Sequence, residues 1–195
     1  MSEDGVRFGA RYWPVQLIGA GLAVLAAIAV TFSPDHSPAY GLSVFAGYAL
    51  LSGAVTIASA SRTDRTRFAT GLTVVQGIVS VVVGAVGLSV LVFGEASLLA
   101  LVLAVVIWAV PVGAAELVIG LRRSEASAAS RDQIFVGAAT VLLAVIALVG
   151  MGDSVFVVGW FGAYAAIVGV YLGIAAFSLK WDAARTSTEQ NPVGS

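Results

Sequence analysis

Residues 97–123 read SLLALVLAVVIWAVPVGAAELVIGLRR, an apolar run whose one charge, Glu116, comes shortly before it stops at Arg122 and Arg123. A helix needs about 20 mostly apolar residues to cross about 30 Å of hydrocarbon, so this run reads as one membrane span closed by cations. The same reading applies along the whole chain, giving six spans at 12–32, 39–60, 69–92, 97–121, 134–151 and 155–179. Between the spans, Lys and Arg are sorted. They fall at Arg7 and Arg11, at Arg62, Arg65 and Arg67, at Arg122, Arg123 and Arg131, and at Lys180 and Arg185. The alternate turns hold only acids and one histidine: Asp35 with His36, Glu95, and Asp153. Cytoplasmic loops carry the excess of Lys and Arg. The expected topology is therefore a multi-pass protein of the bacterial inner (plasma) membrane with both termini cytoplasmic.

Composition agrees. Of 195 residues, 59% are hydrophobic and 11% charged, against about 25% charged in soluble domains. The formal net charge of −1 conceals a basic side and an acidic side, and no segment is basic enough for nucleic-acid binding. The absence of cysteine and the single histidine exclude thiolate chemistry and a multi-histidine metal cage, so neither a metal nor a cofactor is expected. The 12–32 stretch follows two arginines, yet it is too long for a signal-peptide core. Thr31-Phe32-Ser33-Pro34 is also no small-residue cleavage site, and the stretch is read as a retained helix.

The six spans group as three hairpins. Pro34 and Pro38 bracket the first turn, Gly94 opens the second, and Gly150-Met151-Gly152-Asp153 forms the third. The expected organisation is a short cytoplasmic segment at 1–11, hairpins at 12–60, 69–121 and 134–179, and a polar, disordered cytoplasmic tail at 180–195. Ser124 to Ser130 reads as a small polar linker. Small residues recur at offsets of seven and ten in each first helix: Gly19/Ala26/Ala29, Gly77/Gly84/Gly87 and Gly137/Ala144/Ala147. These offsets stay on one helix face, where small side chains let a neighbour approach closely. In each second helix an aromatic residue precedes a glycine by five: Tyr48/Gly53, Trp108/Gly113 and Tyr164/Gly169. Gly169 and Gly173 add a GxxxG pair, a contact face for another helix or subunit. Two-helix units return to their starting side, so three copies share one orientation about an axis along the membrane normal. The expected fold is an all-α membrane protein of six transmembrane helices, built as three repeated hairpins in a pseudo-threefold bundle.

The hairpins resemble the HdeD family of bacterial acid-resistance membrane proteins. The resemblance rests on Leu17–Pro34, on Tyr48 through Gly53 to Ala60-Ser61-Arg62, and on Pro111 through Glu116 to Leu121-Arg122-Arg123. It extends over roughly residues 11–180. The third hairpin departs most, with Leu172 where the second has Glu116 and no proline after its first helix. The resemblance implies a six-helix inner-membrane protein linked to acid stress, and it implies no catalytic residue.

Glu116 is the charged residue placed well inside a span. It lies six residues before Arg122, about 9 Å along the axis at 1.5 Å per residue. An intramembrane acid is protonated, paired or hydrated, so Glu116 is either a proton-linked group or a structural acid facing the bundle. Gln16, Gln76 and Gln133 enter the first helices near the small-residue strips, as interhelical glue; Gln76 is within plausible reach of Glu116. Pro111 removes a backbone hydrogen bond shortly before Glu116. His36 titrates between pH 5 and 8 when unperturbed and is the candidate pH sensor. Tyr48, Trp108 and Tyr164 sit at similar depth, either packing or closing a central space. No enzyme signature is present.

Two functions compete. One is a non-enzymatic stress protein acting by helix packing or partner contact, its partners being the lipid bilayer and a second copy or another membrane protein. The other is a proton-linked small-solute transporter or channel that uses Glu116.

Overall fold

The computed structural model describes residues 3–60, 66–122 and 128–189, and every regular element among them is helical. The elements are α1 (Glu3–Phe32), α2 (Pro38–Ala60), α3 (Arg67–Phe93), α4 (Leu98–Leu121), α5 (Ala128–Val149) and α6 (Ser154–Glu189). All six contain a stretch long and apolar enough to cross a membrane.

Local chemistry sets several ends. Thr66 and Ser97 cap α3 and α4, accepting from the amides of Ala69 and Ala100 at 3.3 and 3.2 Å. Asp153 Oδ1 accepts from Val155 N at 2.9 Å and so starts α6. Each side chain satisfies an amide that the first turn leaves unpaired. Two ends differ from the sequence expectation. The tail expected to be disordered from residue 180 stays helical to Glu189, because Lys180 to Arg185 contains two alanines among charged helix formers and no glycine or proline. Helix α5 starts at Ala128, well before residue 134.

Chain neighbours joined by tight turns are not the principal packing partners. The extensive interfaces are α2 with α3, α4 with α5, and α6 with α1, while α1/α2, α3/α4 and α5/α6 touch far less. Each second helix leans on the first helix of the next hairpin, and α6 closes the ring on α1. Glycine makes these three seams close. A methyl group on Gly53 would lie 2.7 Å from the Gly77 carbonyl oxygen, and one on Gly77 2.9 Å from that of Gly53. Gly84 faces the Ala46 carbonyl at 2.8 Å, and Gly87 the Ala46 methyl at 3.0 Å, by the same construction. Gly113 and Gly137 repeat the reciprocal approach, each 2.9 Å from the other's carbonyl oxygen. At the third seam Gly169 meets Val24 N at 3.0 Å and Ala20 O at 3.3 Å.

The small-residue strip of α1 runs one residue later than the Gly19 spacing predicts. Ala20, Ala23, Ala27 and Val30 are buried, together with Ala26 of the expected strip, as are Gly77, Ser80, Gly84 and Gly87 in α3 and Gly137, Thr140, Ala144 and Ala147 in α5. Gly19 is only half-buried, and a methyl there would meet nothing nearer than Leu172 Cδ1 at 3.9 Å. Gly173 is similarly relaxed, with Ala20 Cβ at 4.0 Å.

Helices α2, α4 and α6 fill the middle. Phe45, Val105 and Phe161 are fully buried, with Ala49, Ala109 and Ala165 one turn on. Between them Phe45 meets Trp108 and Phe161 edge-on at 5.5 Å, and Tyr48 meets the same two rings at 5.9 Å. Trp108 and Tyr164 close the cluster at 6.2 Å. Such T-shaped pairs are the preferred aromatic geometry. Outside, every helix turns large apolar side chains outward, among them Leu25, Leu51, Val86, Ile107, Val145 and Ile174. A surface of that kind belongs against lipid rather than water.

Candidate functional site

Polar groups gather at the end of the bundle that carries the arginines. A cavity of about 130 Å³ opens there among α1, α4, α5 and α6, lined by Gln16, Glu116, Asp132 and Gln133 with Val15, Gly19, Val136 and Leu172. The chain places them there by register. Gln16 and Gln133 each precede a buried small residue, Ala20 and Gly137, by four positions, so both sit one turn toward the basic end on the inward face. Glu116 arrives from α4 one turn beyond Val112, half-buried. Gly19 belongs to this cavity rather than to the α1–α6 seam, and its missing side chain keeps the wall open.

Asp132 is the organising group. It is 9% exposed and accepts from Gln16 Nε2 at 3.2 Å on Oδ2 and from the Tyr171 hydroxyl at 2.8 Å on Oδ1. Tyr171 is held in turn by stacking on Phe135 at 4.2 Å between centroids. The amide oxygens of Gln16 and Gln133 are buried without a hydrogen-bond partner. Leaving a buried acceptor unmatched costs about 1–3 kcal/mol, so two of them beside two carboxyl groups mark a place where packing alone is not the design. Sequence reading passes over Asp132 because it adjoins Arg131 and looks like an interfacial charge. The usable signal is the equal offset of Gln16 and Gln133 from their strips, which brings polar side chains from α1 and α5 to one depth.

The other predicted residues go elsewhere. Gln76 does not meet Glu116: its Nε2 donates to the Val112 carbonyl at 3.1 Å, and its Oε1 has no hydrogen-bond partner. With Pro111 it lines a separate apolar groove between α3 and α4, bounded by Phe68, Leu72, Ala115 and Val118. Pro111 itself is exposed on that outer face. His36 is half-buried in the α1–α2 turn and has no hydrogen-bond partner among the described residues. That turn is organised by Asp35, whose Oδ1 accepts from Ser37 N at 2.8 Å.

Beyond the cavity the bundle is shut. Trp108 Nε1 donates to Ser80 Oγ at 2.9 Å, and the Tyr164 and Thr140 hydroxyls share a hydrogen bond at 2.8 Å. The Trp108 indole and the Tyr164 hydroxyl are thus matched inside the bundle rather than left open toward the far turns. At the basic end, Arg122 lies over the Phe68 ring at 4.7 Å and Lys180 over Trp13 at 5.2 Å, cations held at the interface by aromatic faces.

Residues 17–89 match the family described as a short repeat of unknown function, DUF308. The matched stretch covers the second half of α1, all of α2 and most of α3, and so contains the seam glycines Gly53, Gly77, Gly84 and Gly87. No curated protein and no solved structure matches the chain.

Proposed function

We propose that this chain is a multi-pass protein of the bacterial inner membrane with both termini cytoplasmic, related to HdeD and linked to acid or envelope stress. On this reading it acts without catalysis, as a closed bundle whose apolar outer faces meet lipid, a second copy or another membrane protein. The observation that carries this reading is the filled centre: rings from α2, α4 and α6 pack edge to face across the axis. Solute passage needs polar groups free to meet the solute, and the Trp108 indole and the Tyr164 hydroxyl are already bonded within this layer. The repeat match supports the family relation. The recurrence of one burial pattern in α1, α3 and α5 supports three repeated hairpins about a pseudo-threefold axis. Arg67, Arg122, Arg131 and Lys180 at one end, with Asp35, Glu95 and Asp153 at the other, support the orientation.

A second reading, proton-linked movement of a small solute with Glu116 as switch, draws on one observation: Glu116 lines a cavity with another carboxyl group. Purified protein in liposomes under an imposed pH gradient separates the two. The packing reading expects no proton flux above empty vesicles, and acid survival of cells that is lost with Gly77→Leu but kept with Glu116→Gln. Flux in the wild type that falls in Glu116→Gln would replace it with the transport reading.

A further inference from the structure

The turn-linked helix pairs pack less closely than the three seams, and between α3 and α4 the gap is a groove of about 310 Å³. Phe68, Leu72 and Val75 line it from α3, and Pro111, Ala114 and Val118 from α4. All of these except Leu72 are exposed, so the groove opens outward among side chains that belong against lipid. Gln76, the polar residue of the lining, is 3% exposed and donates to the Val112 carbonyl. The accessible wall is therefore apolar.

Its length is that of one leaflet. Phe68 to Val79 is eleven residues, about 16 Å along the helix axis, against about 30 Å of hydrocarbon in a whole bilayer. The groove begins at the basic end, where α3 starts and α4 stops, and ends at mid-depth. A partner helix would need a furrow across the full thickness, whereas an acyl chain entering from one face reaches about this far. The mouth is cationic. Arg122 lies over the Phe68 ring at 4.7 Å. Stacking engages the flat face of the guanidinium and leaves the N–H donors along its edge for an oxyanion. Arg67, next to Phe68, is exposed, and neither arginine is paired with a carboxylate among the described residues. In the sequence, the flanking stretches 61–67 and 121–127 contain five arginines against Asp64 and Glu125, so the charge around the mouth favours anions.

We propose that the α3–α4 groove binds one anionic glycerophospholipid, with an acyl chain along Phe68–Val79 and the phosphate on Arg122, where Arg67 adds its charge. The proposal rests on the reading that the outer faces meet lipid, and not on the stress link or the orientation. Its failure leaves that reading intact, because those faces can meet lipid without selecting one.

The test is native mass spectrometry of the delipidated full chain in detergent, titrated with phosphatidylglycerol or with phosphatidylcholine of the same chains. One phosphatidylglycerol should bind saturably, at least about fivefold more tightly than phosphatidylcholine, the gain expected from one cation near the phosphate. Arg122→Gln should erase that preference and leave phosphatidylcholine binding as it was. Ala114 is exposed in the groove, so Ala114→Phe fills it without entering the core. That variant should keep the wild-type Tm and weaken both lipids about tenfold, as loss of contact with one or two methylene groups does. Equimolar inorganic phosphate should not compete. Equal affinities for the two lipids, a preference that survives Arg122→Gln, undiminished binding by Ala114→Phe, or displacement by equimolar phosphate would each overturn the proposal.

Discussion

The two ends of this bundle are built from the same helices and obey different rules. Toward the acidic turns the interior is close-packed: Leu42, Val102 and Val158 are fully buried beneath the aromatic cluster. Toward the arginines the same helices part around Gln16, Glu116, Asp132 and Gln133. The same six helices thus give a plug at one end and a polar cavity at the other, and the difference lies in a few side chains. Three residues after Gly53, Gly113 and Gly169 the chain carries Thr56, Glu116 and Leu172, so of these three positions only the one in α4 supplies an acid.

The sharpest way to break this contrast is to remove the plug. Trp108→Ala should cost about 3–5 kcal/mol, as emptying a buried aromatic site does. Where it still folds, it should let protons through vesicles that the wild type keeps tight. An unchanged leak rate in folded Trp108→Ala would mean that the barrier lies elsewhere. Next in size is Gly84→Leu, which drives a side chain into the Ala46 carbonyl and Leu50 amide. Overpacking against backbone should lower stability by about 3 kcal/mol. Gly19→Ala, on the cavity side, should change it by less than about 0.5 kcal/mol, and thermal melts of the pair would read the difference directly.

A smaller effect probes the open end. Asp132→Leu strands Gln16 Nε2 and the Tyr171 hydroxyl and should cost about 2 kcal/mol, with loss of the Phe135–Tyr171 stack visible in the aromatic circular dichroism. Smallest of all, His36→Ala should shift Tm by no more than a surface substitution does, about 0.5 kcal/mol in equivalent stability. Acid survival unchanged in that variant would remove His36 as a sensor; lost survival would restore it.

The fold was legible because its cause is crude. Spans announce themselves by length and by exclusion of charge, and the stretches beginning near Tyr12, Ala39, Ala69, Ser97, Ile134 and Val155 each appear as a helix. The seams were half legible. Glycine spacing marked Gly53, Gly77, Gly113 and Gly137 as close-packing residues, yet nothing in the spacing says which helix each one meets, and the strip on α1 reads one residue off because alanines fill it on both sides of the true line. The cavity was the least legible part. Glu116 stood out as a charge in an apolar run. Asp132 did not, because a carboxylate beside an arginine at a helix start looks solvated until Tyr171 and Gln16, from two other helices, are seen to bond to it.

Closure of the ring by α6 on α1 has a consequence for synthesis. The first helix to leave the ribosome finds its main partner in the last one made. Helix α2 gains α3, and α4 gains α5, directly after each emerges, but α1 must wait while the chain from Phe32 to Ser154 is translated. At about 5–20 residues per second, that wait is on the order of ten seconds. During that interval the Ala20–Ala27 strip lies bare to lipid or to whatever insertion factor shelters it. A chain halted before Ser154 lacks the helix that covers that strip.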